Sequence, residues 1–242
     1  MAALQRERLD GAIEVVRLDR PQARNALDSA ALAELEAALA QLAADADLRV
    51  LVLSTTSERA FCAGADVAET LDRDAALARM EAFTRVYSAV EAFPAPTVCV
   101  CVGNVVGAGA ELATGCDLRV GGDNLKLAWA GARLGVPVGP ARLTPLIGLA
   151  AAKDLVLTGR TLGMQEARAL GLLQRTAPAA LADAAAIELA RELAAHPPEG
   201  MRRLKAMFRE MTNAADHVAR ENALLLEWQR TGTGLPQGGL RR

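Results

Sequence analysis

The stretch Gly103-Asn-Val-Val-Gly-Ala-Gly-Ala-Glu-Leu112 decides how this chain reads. It follows Val98-Cys-Val-Cys-Val102, an unbroken apolar run of strand length, which predicts a strand buried on both faces. Glycines at 103, 107 and 109 turn the chain, and a short helix begins near Ala108. A helix start offers N–H groups with no partner inside the helix and a dipole that favours negative charge. Glu111 lies three residues after Ala108, on the same face of the first turn, in a stretch from Thr97 to Cys116 with no other charge. A carboxylate one turn from an anion-binding N–H suits acid/base chemistry beside an enolate. A first-turn glutamate that only stabilises its helix has the same signature, so the spacing leaves both readings open.

A second glycine turn, Phe61-Cys-Ala-Gly-Ala-Asp-Val67, follows another apolar run, Val50-Leu-Val-Leu53. Two backbone N–H donors converging on one point would form an oxyanion hole, worth about 3–4 kcal/mol per donor. Close packing explains either turn equally well when taken alone. Neither turn meets the G-x-G-x-x-G dinucleotide pattern, which makes a dinucleotide oxidoreductase remote.

Outward from these turns, Ala12 to Leu18 predicts a strand. Asp28 predicts the N-cap of a helix with Leu32, Leu35, Leu39 and Leu42 on one face. Residues 72 to 92 read as helix, ending before Pro94 and Pro96. Leu118 to Val120 and Leu125 to Ala128 read as short strands around a Gly121-Gly122 turn. From Pro140 onward the pattern is helical apart from an extended piece near Leu173 to Thr176. The class is α/β with a helical C-terminal section: a core over residues 1–185 and a helical region over 186–242. Leu224, Leu225, Leu226 and Trp228 cluster on one short helix and predict an apolar patch too large for a monomer. The stretch 229–239, with four glycines, is expected to be mobile or pinned by a neighbouring subunit.

Composition narrows the partners. Of 242 residues 52% are hydrophobic and 23% charged, with a net charge of −2, and no basic stripe points to nucleic acid. Aromatics are 3%, so small aliphatic side chains must fill the core and bring elements close together. The longest apolar run, Thr97 to Ala113, is too short and too interrupted to span a bilayer. The N-terminus turns charged at once, without the apolar segment of a secretory signal. Cys62, Cys99, Cys101 and Cys116 read as buried free thiols of a reducing, cytoplasmic compartment rather than metal ligands, since His196 and His217 lie far along the chain.

Five motifs in order carry a family resemblance: Arg20-Pro-x-x-x-Asn25-Ala-Leu27, Ala60-Phe-Cys-Ala-Gly-Ala-Asp66, Gly103 through Leu112, Cys116-Asp-Leu118, and Leu157-Thr-Gly-Arg160 followed by Glu166-Ala and Gly171-Leu172. Together they resemble the crotonase, or enoyl-CoA hydratase/isomerase, family. The resemblance implies a spiral of ββα turns with a helical C-terminal region that forms trimers, often paired into hexamers. It implies an acyl-CoA substrate, no further cofactor and no metal. It implies backbone N–H groups of Ala65 and Ala108 as the oxyanion hole and Glu111 as the catalytic acid/base. Arg24, Ala26, Ala63, Asp66, Val67 and Ala68 would line the CoA path, with Arg24 near the phosphates.

One departure matters. Hydratases carry a second glutamate where this chain has Gly131, within Leu127-Ala-Trp-Ala-Gly-Ala-Arg133, and the loop Gly135-Val-Pro-Val-Gly-Pro-Ala-Arg142 is about three residues short. Efficient hydration uses both carboxylates on one water, and a glutamate restored at 131 is expected to help only if the short loop lets it face the substrate. The candidates are therefore a hydratase/isomerase-like enzyme with Glu111 alone, a catalytically silent acyl-CoA-binding homologue, and a decarboxylase or thioesterase. For a decarboxylase or thioesterase, the extra acid could come from the Leu71-Asp-Arg-Asp74 region.

Overall fold

The computed structural model describes residues 2–232, 234 and 235. Strand β1 (Leu4–Leu9) pairs antiparallel with β2 (Ile13–Leu18), and α1 (Ser29–Ala43) follows. Three strand pairs then alternate with helices. β3 (Val50–Thr55) and β4 (Ala60–Cys62) precede α2 (Arg73–Glu91). β5 (Thr97–Cys101) and β6 (Asn104–Val106) precede α3 (Ala108–Gly115). β7 (Leu118–Gly122) and β8 (Lys126–Ala128) precede α4 (Gly131–Leu134). Helices α5 (Pro140–Ile147), α6 (Leu149–Thr158) and α7 (Met164–Ala169) lead to strand β9 (Arg175–Ala177). Helices α8 (Ala182–Ala194), α9 (Pro198–Met211) and α10 (Ala214–Thr231) follow.

The first strand of each pair joins a six-stranded sheet in the order β1-β2-β3-β5-β7-β9, and the second joins a three-stranded sheet, β4-β6-β8. Every pairing except β1–β2 is parallel. Each ββα unit thus adds one strand to each sheet, which is the spiral expected.

The apolar runs are buried on both faces because the large sheet separates two cores. Val50, Val52, Val98, Val100 and Val120 face α8, where Ala182, Ala186 and Ala190 allow close approach. Leu51, Leu53, Cys99 and Cys101 face the main core with Leu32, Leu35 and Leu39 of α1 and Phe83 and Val86 of α2. All four cysteines are free and buried. Asp28 caps α1 through Ala31 N–H at 2.8 Å, and Asp72 caps α2 through Ala75 N–H at 2.8 Å. The Leu71–Asp74 region is therefore a helix start, with the Asp72 carboxylate serving its cap.

Several sequence expectations change. Leu4–Leu9 is an edge strand, legible only poorly because its middle residues are polar and exposed, a pattern edge strands favour. β4 and β6 are three residues each, too short for periodicity to reveal. Gly121 and Gly122 end β7, and the turn lies after them at 123–124. The boundary expected at 185/186 falls inside α8, which covers the second face of the large sheet. On α10 only Leu224 of the expected patch is exposed; Leu225 is buried, and Leu226 and Trp228 pack against the main core. The exposed apolar face belongs to α9 instead, through Leu204, Met207, Phe208 and Met211. Helix α10 carries the first residues of the stretch 229–239, whereas 233 and 236–242 lie outside the described residues.

α3 meets β4 with no space for a side chain: a Cβ on Gly109 would stand 2.2 Å from the Cys62 carbonyl oxygen. Gly109→Ala must therefore push α3 away from β4, and we expect a loss of about 1–3 kcal/mol, the usual scale of overpacking. A denaturant midpoint equal to that of the wild type would show that the contact is slack.

Candidate active site

The two glycine turns abut. Gly64 (φ +111°) and Gly107 (φ +54°) hold backbone conformations that side chains rarely adopt, and a Cβ on Gly107 would lie 4.0 Å from Gly64 Cα. Leu27 bridges the first turn by donating to Gly64 O at 2.8 Å and accepting from Asp66 N–H at 2.9 Å. That bridge uses the neighbours of Ala65 and leaves the Ala65 N–H without a partner among the described residues. Ala108 is the first residue of α3, so its N–H has no acceptor within the helix. Ala65 and Ala108 both line one cavity of about 210 Å³, walled by Met80, Phe83 and Tyr87 of α2 and by Val136 and Val138 of the short loop. Two unpaired N–H donors in an apolar cavity suit an anionic or polarised oxygen.

Glu111 follows one turn along α3, every residue of which is buried. Its carboxylate is fully enclosed and does not line the cavity. Arg142 of α5 donates from Nη1 to Glu111 Oε2 at 3.0 Å and to Glu221 Oε1 of α10 at 2.8 Å. The guanidinium also lies over the Tyr87 ring, 5.0 Å from its centre. Glu221 takes a second hydrogen bond from Ala141 N–H at 2.8 Å. Burial, then the nearby Glu221 charge, push the Glu111 carboxyl up to about 8, against the pull of Arg142. Among the described residues Glu111 Oε1 and Trp129 Nε1 form no hydrogen bond, yet the indole lies close enough to act on the carboxyl in the lowering direction.

Residues 8–229 match the family model described as enoyl-CoA hydratase/isomerase. The chain belongs to that family. It is 35% identical over 237 residues to a putative enoyl-CoA hydratase of Thermus thermophilus, covering 94% of this chain and 93% of that one. It is 33% identical over 201 residues to the 2,3-dehydroadipyl-CoA hydratase of Escherichia coli, covering 82% and 78% respectively. The crystal structure of an enoyl-CoA hydratase from Bacillus anthracis, 27% identical, superposes with a TM-score of 0.80 over 97% of this chain and 100% of that one. The fold is the crotonase fold.

Within this family member, Ala63, Ala65, Val67, Ala108 and Gly131 line the cavity, whereas Arg24, Ala26, Asp66 and Ala68 do not. Asp66 is held by Arg20 at 3.2 Å and by Ala68 N–H at 3.1 Å, and the Ala26 carbonyl accepts from Arg20. These contacts brace the first turn. Arg24 is exposed, with its carbonyl accepting from Ala63 N–H at 3.0 Å. Asn25, buried at 1% exposure, ties that turn to Thr55 Oγ1 at 2.7 Å and Ala60 O at 3.0 Å. Asp117 pairs with Lys205 at 2.7 Å and accepts from Thr97 N–H at 2.7 Å, a structural link between α9 and β5. Sequence reasoning missed Arg142, Glu221 and Trp129. The signal was there: a lone carboxylate in a stretch destined for burial requires a counter-charge from elsewhere.

At Gly131 a side chain would meet the loop that follows it. A Cβ there would lie 2.8 Å from the Val136 carbonyl oxygen and 3.3 Å from Val138 Cγ1, because the loop after Gly135 folds back on α4. Val136 N–H also donates to Gly131 O at 2.9 Å, which fixes that approach. We expect Gly131→Glu to lose about 1–3 kcal/mol by overpacking and to gain no hydration of crotonyl-CoA. A faster hydration rate at unchanged melting temperature would refute this.

Proposed function

We propose that the chain is an enzyme of the enoyl-CoA hydratase/isomerase type that binds an acyl-CoA thioester and stabilises its enolate. The observation that carries this reading is the pair of unpartnered N–H groups, Ala65 and Ala108, at one apolar cavity. A thioester oxygen placed between them would gain hydrogen bonds as it becomes an enolate oxygen, so the transition state is favoured over the ground state. In hydration the oxygen of water bonds to Cβ of the enoyl group and Cα takes a proton. In isomerisation a proton leaves one allylic carbon and returns at another. Glu111 would take and return the proton in either case, with Gly131 contributing no second carboxylate. The reading needs no cofactor or metal, since the thioester is the substrate. Arg24, exposed beside the first turn, would meet the CoA phosphates.

A second reading, acyl-CoA binding without turnover, is favoured by the enclosure of Glu111 behind Arg142 and by Gly131. A decarboxylase or thioesterase would share the same enolate or oxyanion support. A mass-spectrometric screen of acyl-CoA substrates in heavy-oxygen water separates these, since hydration, hydrolysis and decarboxylation change mass differently. The four buried free thiols support a cytoplasmic setting. The exposed apolar face of α9 supports a homotrimer or hexamer.

Two outcomes are expected. Glu111→Gln lowers turnover about 100-fold or more, the scale of a positioned proton-transfer group, while calorimetry with a non-reactive acyl-CoA analogue finds unchanged affinity. Unchanged turnover would remove Glu111 from the chemistry. Light scattering at micromolar concentration returns three or six copies; a monomer mass would refute the assembly.

A further inference from the structure

Glu111 is ion-paired through one oxygen only. Its Oε2 accepts from Arg142 at 3.0 Å, whereas its Oε1 forms no hydrogen bond among the described residues and has the Trp129 indole beside it. Gly139 lies against the same group: a Cβ there would stand at ordinary contact distance from Oε1, 3.5 Å, and too close to Trp129 Cδ1, 2.9 Å. Gly139 takes φ +119°, so a side chain is excluded there on conformational grounds as well. The neighbouring Val138, and Ala108 one turn along α3, both line the inner cavity.

Arg142 does not depend on Glu111 for its place. Glu221 Oε1 accepts from it at 2.8 Å, Asn222 Oδ1 lies 3.4 Å from Nη2, and the Tyr87 ring lies beneath it. Asn222 is in turn bound to Ser88 Oγ at 2.9 Å and to the Thr84 carbonyl at 3.2 Å, which ties α10 to α2. The guanidinium is therefore fixed by α10 and α2 and presented to α3.

We propose that Arg142 and Glu221 are positioning residues for Glu111: Arg142 pins Oε2 so that Oε1 is the proton-transfer oxygen, and Glu221 anchors Arg142 in that pose. This rests on the proposed enolate chemistry for its catalytic meaning, but the geometry stands without it. The titratable and charged groups that face the Glu111 carboxylate are Tyr87 from α2, Arg142 from α5 and Glu221 from α10; Trp129 adds a neutral N–H. The guanidinium favours the ionised carboxylate, and the Glu221 charge opposes it.

The test is the titration of Glu111 itself, followed through its side-chain carboxyl carbon by NMR of protein with carbon-13-labelled glutamate. The resonance is assigned by its loss in Glu111→Gln. From a wild-type midpoint near 8, Arg142→Gln is expected to move it up and Glu221→Gln to move it down, each by about one pH unit or more. Arg142→Lys keeps the charge but loses the Nη2 contact to Asn222 and the flat guanidinium over Tyr87, so it should leave the midpoint close to wild type and lower kcat more than it raises KM. Midpoints unmoved in both neutral variants, or moved in the same direction, overturn the proposal. Should Arg142→Gln fail to fold, Glu221→Gln decides alone: a lowered midpoint supports the anchor and an unmoved one overturns it. Opposite shifts in a protein that turns over no acyl-CoA would leave the positioning intact and remove the enzymatic reading. Where turnover is found, the pH limb of kcat should follow the midpoint through the series. A limb that stays put while the midpoint moves would take the proton-transfer role from Glu111 without touching the contact.

Discussion

The contact between Gly109 and the Cys62 carbonyl sets the distance between α3 and β4, and most of the site follows from it. Because no side chain intervenes, the start of α3 sits directly beside the Gly64 turn, and two N–H groups that no other backbone group satisfies open into one cavity. Two N–H groups without a backbone partner among the described residues, facing an apolar pocket, are a physical argument for a polar ligand atom. The same closeness buries the whole of α3 and with it Glu111.

That burial creates the second constraint. A carboxylate with no access to water must be neutralised or paired, and Arg142 does this while being shared with Glu221. One cation between two buried carboxylates leaves a negative excess, which raises the Glu111 carboxyl toward neutrality of charge and makes α10 part of the electrostatics of the site. The C-terminal helices are thus more than a covering layer: α8 closes one face of the large sheet, and α10 supplies the anchor for Arg142. The loop 135–139 folds back on α4, fills the space a side chain at 131 would need, and leads into α5, whose Arg142 reaches Glu111.

Much of this was legible in the chain itself. Apolar runs such as Val98–Val102 read as strands buried on both faces, Asp28 read as a helix cap, and five motifs in order carried the resemblance to the family and its spiral. The helix start near Ala108 and the place of Glu111 one turn on followed from local spacing, because a helix start exposes its own N–H groups whatever surrounds it, whereas Ala65 came from the family resemblance. What local spacing could not carry was anything made by distant partners. Arg142 and Glu221 stand 31 and 110 residues from Glu111, and no periodicity relates them. Whether Gly131 could take a side chain depended on where Val136 turned back, and whether α10 showed its leucines to solvent depended on the core it met. Sequence determined the elements, the turns and the donors, since these are set by neighbours along the chain; tertiary structure decided the charge state and enclosure of Glu111, since burial and ion pairing are set by neighbours in space.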